Sequence, residues 1–289
     1  MNRYQYTHLT GILGIIGNIF LLIIKAIAGF LSNSQALIAD AFNSAGDIFS
    51  SCMTFVGNKI SSKGADEDHN LGHGKAEYIY SLLISISMFL LSVEVIKKAV
   101  IHFINKEYII YSNWLFVVCL ITILTKIVLF VITKKFYNKT NNILILANNK
   151  DHRNDIFITT FTLISVILSK MGYFYIDLIT GIGISLWIIY TAICLFKESY
   201  DVLMDKSMDF ETKDKVLSII HQYPEIHNVN HFNATPVGYR YQISFTIFVD
   251  GQLTTFESHD IANRLEREIE KEIPEVYLTV IHVNPVVEK

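Results

Sequence analysis

The stretch ALIADAFNSAGDIFSS, residues 36–51, decides how this chain is read. It is apolar enough for a membrane helix, yet it carries Asp40, Asn43 and Asp47. Spacings of three and four residues put all three on one side of a helix. A carboxylate in hydrocarbon is costly, so an ionisable group there marks a functional site by default. A second stretch, ANNKDHRNDIF at residues 147–157, matches it. Asp151 and Asp155 lie four apart and share a face, as Asn43 and Asp47 do. Two helices that each offer a pair of oxygen ligands one turn apart can close a four-ligand cage inside a bundle. A dication held there would offset carboxylate charge that hydrocarbon cannot solvate. The competing reading, helix caps or headgroup-facing residues, suits Asp155 alone better than two matched pairs.

The rest of the chain supports a membrane setting. It has 289 residues, 51% hydrophobic and 18% charged, with mean hydropathy +0.37. A spanning helix needs about 20 mostly apolar residues. Stretches 9–31, 34–58, 76–101, 112–133, 143–170 and 174–197 meet this, the second and fifth being the least apolar. The first runs on from MNRYQYTHLTG without a small-residue cleavage site, which predicts a retained helix. Lys25, Glu94 and Lys126 also fall within spans. No spacing ties them to the acidic pairs, so they read as snorkelling or helix-pairing groups. Loops 59–75 and 134–142 hold Lys59, Lys63, Lys75, Lys134, Lys135 and Lys139, against Lys97, Lys98 and Lys106 on the other side. The 32–35 connection has none and the 171–174 connection only borders Lys170, and the balance places both termini in the cytoplasm.

After residue 206 the pattern changes. Residues 207–289 read as a soluble α-β-β-α-β domain, with a hairpin turn at Pro236–Gly238 and amphipathic helices flanking the strands. Residues 1–206 form the membrane domain. Cys52, Cys119 and Cys194 lie in apolar segments without a CxxC, as buried small hydrophobes do. A net charge of −3 with no basic cluster excludes a nucleic-acid binder.

Taken together, SQALIADAFNSAGDIFSS, the GHGKAE of residues 72–77 and the acidic pair of the fifth helix resemble the cation diffusion facilitator family. The resemblance covers nearly the whole chain. It implies a dimeric divalent-metal/proton antiporter with six transmembrane helices and a ferredoxin-like cytoplasmic domain, with no prosthetic group. It maps the transport site onto Asn43, Asp47, Asp151 and Asp155. Zinc members place His at one or both of the positions of Asn43 and Asp151. Oxygen donors at all four suit Mn²⁺ better than Zn²⁺, and the set resembles the manganese-transporting branch. Mn²⁺ is therefore the expected cargo and Fe²⁺ the next, with Zn²⁺ and Co²⁺ as further alternatives. His152 adjoins Asp151 but points about 100° away on an ideal helix, so at best it supports a ligand from behind. Asp40 reads as an entrance or relay carboxylate, or as a partner to another helix.

By the same resemblance, Asp66 and His69, completed by His73, match a second, peripheral metal site. The alternative is a solvated charged loop with His73 bonded to a neighbouring helix. A lysine at the position of Lys75 pairs with an acidic group after helix six, here Asp205, and Glu77 has a structural role. His231, His259 and His282 stand where zinc members bind cytoplasmic metal, but Ser244 and Asn284 replace a His and an Asp of that pattern. Weak regulatory binding and a metal-free dimerisation domain both fit.

Alternating access with proton exchange follows, since protons and metal compete for the same oxygens. An intramembrane metalloenzyme would need a base or nucleophile beside the metal. No HExxH or GxSxG is present, so no enzymatic activity is expected. A membrane-anchored metal sensor or scaffold is the remaining rival. The expected partners are a divalent cation, protons, the lipid bilayer and a second copy of the chain.

Overall fold

The structure, a computed structural model, describes residues 2–31, 35–105, 113–170 and 175–286. The side chains of Asp40, Asn43, Lys98 and Lys170, and all of Lys106, lie outside the described residues. The chain divides into two compact units, Met1–Ser62 with Ala76–Tyr200, and Lys63–Lys75 with Asp201–Lys289.

The first unit is a bundle of long helices: α1 (Arg3–Leu31), α2 (Gln35–Ser61), α3 (Ala76–Asn105), α4 (Asn113–Thr140), α5 (Ile143–Lys170) and α6 (Tyr175–Leu203). Several run past the apolar stretch that predicts them, because polar flanks keep their backbone bonds helical. Among the described residues, four windows are long and apolar enough to cross a membrane, in α1, α3, α4 and α6. The two helices with the acidic pairs, α2 and α5, are not among them. Polarity is inverted relative to a water-soluble bundle. Thr10, Asn18, Ser51, Thr54, Ser85 and Asn148 are buried, whereas Ile16, Ile23, Leu90, Val131 and Leu186 are exposed. A lipid solvent selects that arrangement: apolar side chains face outward, and polar ones pair between helices.

The second unit holds α7 (Phe210–Ile220), β1 (Asn228–Val237), β2 (Arg240–Asp250), α8 (Thr255–Glu272) and β3 (Val276–Val286), in the expected order. Strand β2 is central, antiparallel to β1 and parallel to β3. Ile243, Phe245, Ile247 and Val249 alternate along β2 onto one face and pack with Val216 and Ile220 of α7 and Ile261, Leu265 and Ile269 of α8. Helix α8 begins with a capping box between Thr254 and Glu257, and Asp209 caps α7 through the Thr212 N–H. The hairpin turn falls at Gly238–Tyr239, because β1 continues through Pro236 to Val237. Gly238 has φ +70, and a Cβ there would stand 2.9 Å from the backbone of Gly74. Lys75 Nζ donates to Asp205 Oδ1 at 2.6 Å, the pairing that the family resemblance implies. Segment 63–75 thus folds with the second unit.

One end of the helical bundle is tied by Glu77, in the first turn of α3 and 1% exposed. Its carboxylate accepts both Arg3 amino groups, Nη2 to Oε2 at 2.6 Å and Nη1 to Oε1. It also accepts Asn142 Nδ2 at 2.9 Å and Ser61 Oγ at 3.3 Å. The oxygen of Asn142 in turn accepts the Leu144 N–H at 2.9 Å, capping α5. One carboxylate therefore joins α1, α2, α3 and the start of α5. Removing one partner of a buried ion pair costs about 3–5 kcal/mol. Glu77→Ala should therefore lower the detergent melting temperature markedly, while the folded fraction keeps its metal affinity. A thermal-shift series with parallel metal titration checks this.

Candidate metal centre

Helices α2, α4 and α5 bring together the groups that matter most. Asp47 and Asp151 are 7% and 4% exposed. Lys126 of α4 is 1% exposed, and its Nζ donates to Asp47 Oδ2 at 2.7 Å. The same Nζ donates to Asp155 Oδ2. The two acidic helices thus meet on one buried ammonium. Asp151 lies one turn from Asp155, and its Oδ2 is buried without a hydrogen-bond partner among the described residues. Asp47 and Asp155 are brought together by the Lys126 ammonium, with Asp151 on the same face of α5 as Asp155. The side chain of Asn43, the fourth expected ligand, is outside the described residues, as is that of Asp40.

Two readings change. Lys126 neither snorkels nor stands apart from the acidic pairs. It lies in the window Phe116–Thr140, mean hydropathy 2.7. Both ends of that window are roughly 15 Å or more away along the helix, beyond the reach of a lysine stem. That depth was the available signal. His152 is the second correction. One of its ring nitrogens lies within 4.8 Å of carboxylate oxygens of both Asp151 and Asp155. Its neighbour Asp151 diverges by about 100°, but Asp155 is three residues on and shares its face. Both ring nitrogens are buried without a hydrogen-bond partner among the described residues. Lys25 keeps its helix-pairing role, its Nζ donating to Ser44 Oγ at 3.0 Å. Glu94 pairs along its own helix with Lys97 at 3.8 Å.

Polar groups continue away from the carboxylates. Ser51 Oγ donates to the Asp47 carbonyl at 3.0 Å and accepts from Asn18 Nδ2 at 3.3 Å. Asn148 donates to Thr54. The amide oxygens of Asn18 and Asn148 are buried without hydrogen-bond partners among the described residues, which leaves acceptors suited to a hard cation.

In the second unit, Asp66, His69 and His73 also converge. Asp66 Oδ1 accepts the His69 N–H at 2.7 Å, and that bond holds its carboxyl below the ordinary value. His69 Nδ1 is 3.2 Å from Asp66 Oδ1 and His73 Nε2 is 3.5 Å from Oδ2. His73 Nδ1 faces the Gly64 carbonyl of its own loop at 3.3 Å, with no helix involved. The tail histidines are not gathered in this way. Among the described residues, neither cluster of three or more ligand types includes His231, His259 or His282. His231 sits at φ +54 in a bulge of β1 between Asn230 and Asn233. His282 pairs with Thr246 on β3, on the sheet face away from α8, whereas His259 is exposed on α8.

Residues 11–204 match the model for the cation efflux transmembrane domain. The chain belongs to the cation efflux, or cation diffusion facilitator, family. Residues 208–286 match the cation efflux protein cytoplasmic domain, a dimerisation module. The manganese efflux system protein MneP of Bacillus subtilis is 29% identical, covering 99% of both chains. MneS of the same organism is 29% identical over 92% of this chain and 91% of its own. The solved metal-bound C-terminal domain of the CzcD transporter from Thermotoga maritima is 26% identical over 28% of this chain and 100% of that one, with TM-score 0.27. This cation efflux transporter is thus a multi-pass membrane protein that moves metal ions.

The peripheral cluster brings one carboxylate and two imidazoles within reach of one another. His69 and His73 must be neutral to ligate, while Asp66, held low, stays ionised in mild acid. Zn²⁺ titrated into the protein at neutral pH should fill one class of sites that these three residues make. Asp66→Ala should remove that class at neutral pH, as isothermal calorimetry would show.

Proposed function

We propose that this transporter exports a divalent cation, Mn²⁺ before others, in exchange for protons, through Asn43 and Asp47 of α2 and Asp151 and Asp155 of α5. The observation that carries the reading is the meeting of Asp47 and Asp155 on one buried ammonium. The protein already holds a positive charge there with oxygens from two helices. Hard oxygen donors favour Mn²⁺ over Zn²⁺, and two relatives of near-complete coverage are named for manganese efflux. Metal binding needs ionised ligands, so protons and metal exclude one another at these oxygens. Alternating exposure of the site then makes metal leave as protons enter. The chain works as a homodimer through its tail, with both termini in the cytoplasm. A second reading, Fe²⁺ or Zn²⁺ as cargo, rests on His152, whose ring offers a nitrogen beside Asp151 and Asp155.

Asp47→Asn, Asp151→Ala and Asp155→Ala should each reduce Mn²⁺ flux into everted vesicles to background while membrane insertion is retained. Near-wild-type flux in any of them would show that the ligands are misassigned. In proteoliposomes, flux indifferent to an imposed pH gradient would remove the proton coupling.

Cargo choice has its own test. The Asn43 amide oxygen is a neutral hard donor that binds Zn²⁺ poorly compared with imidazole. Asn43→His, alone or with Asp151→His, should raise the Zn²⁺/Mn²⁺ ratio in competitive uptake. A flat ratio in active variants would place selectivity elsewhere, with His152 the next candidate.

A further inference from the structure

We propose that Lys126 is a tethered counter-cation: its ammonium occupies the metal position when the site is empty, withdraws when metal enters and returns to expel it. The inference rests on the reading of Asp47 and Asp155 as transport ligands. It adds a residue from a third helix, one that supplies charge without ligating metal.

The geometry makes the two cations mutually exclusive. Lys126 Nζ is 2.7 Å from Asp47 Oδ2 and bonded to Asp155 Oδ2. A dication held by those same oxygens would sit nearly on the ammonium, and like charges at contact in a low dielectric repel strongly. Burial prevents an escape to water, since the side chain is 1% exposed in the middle of an apolar helix. The ammonium must instead move within the bundle. Helical side chains lean toward the N-terminal turn, and the residue one turn back on α4 is Thr122. Its Oγ1 is buried and has no hydrogen-bond partner among the described residues. Four residues back on the same helix face, it is the acceptor assigned to the displaced lysine.

The empty carrier also benefits. A transporter must return through its cycle without cargo, and uncompensated carboxylates would hold α2 and α5 apart. Lys126 bridges the two helices in that state, so the unloaded bundle stays closed on itself. The tether fixes the effective concentration of the competitor whatever the ion content of either compartment. Binding is thereby weakened and release assisted.

The test uses the purified full-length protein with Mn²⁺ binding measured by calorimetry, alongside flux in proteoliposomes. Lys126→Met keeps stem volume and removes charge. It should bind Mn²⁺ at least about ten-fold more tightly and turn over more slowly, because release loses its competitor. Lys126→Arg keeps the charge and grips carboxylates with a fork. It should bind Mn²⁺ about ten-fold more weakly. If Lys126→Met fails to fold, the direction of the Lys126→Arg shift decides. Unchanged or opposite shifts, with Mn²⁺ binding still abolished by Asp47→Asn, would overturn the counter-cation role and leave the site intact. Mn²⁺ binding indifferent to Asp47→Asn would instead overturn the ligand assignment on which the role depends.

Discussion

Carboxylates placed among apolar helices have to be offset by positive charge, and much of the helical bundle follows from how that is done. At one level Lys126 joins Asp47 of α2 to Asp155 of α5. At another, Arg3 meets Glu77 with Asn142 and Ser61 in attendance. Buried pairs of this kind add little net stability compared with apolar packing, but breaking one is expensive. They act as fasteners that permit one arrangement of helices. The two fasteners differ in kind. The Glu77 cluster is fully satisfied by protein groups. Around the second, Asp151 Oδ2 and both nitrogens of His152 still lack hydrogen-bond partners among the described residues.

Much of this was legible in the sequence because helices have a period. Four-residue spacing put Asp151 and Asp155 on one face of a helix, as it did Asn43 and Asp47. The α-β-β-α-β order of the tail was likewise legible, and the structure has it. Lys126 was not legible in that way, since charge compensation between helices has no period. Its partners lie on α2 and α5, and only its depth in α4 hinted at a role. His152 was misjudged by comparing it with its immediate neighbour when the relevant partner was three residues on. The Lys75–Asp205 contact at 2.6 Å joins residues 130 apart in sequence, with α3 to α6 between them, and only likeness to a family could anticipate it. Of the tail positions recognisable by likeness, His282 is set by the register of β3 against β2, whereas His259 rides on α8.

The close fit of α1 against α2 has a further meaning. Gly11 and Gly14 of α1 face α2, and a methyl at Gly14 would come within 2.4 Å of Ser51 Oγ. That hydroxyl is bonded to the carbonyl of Asp47. A helix that supplies none of the expected ligands therefore sets, to within the width of one carbon atom, the height at which a ligand-bearing backbone rides. The seat of Asp47 is gauged from outside the carboxylate cluster, and the calibrating mark is a side chain that is not there.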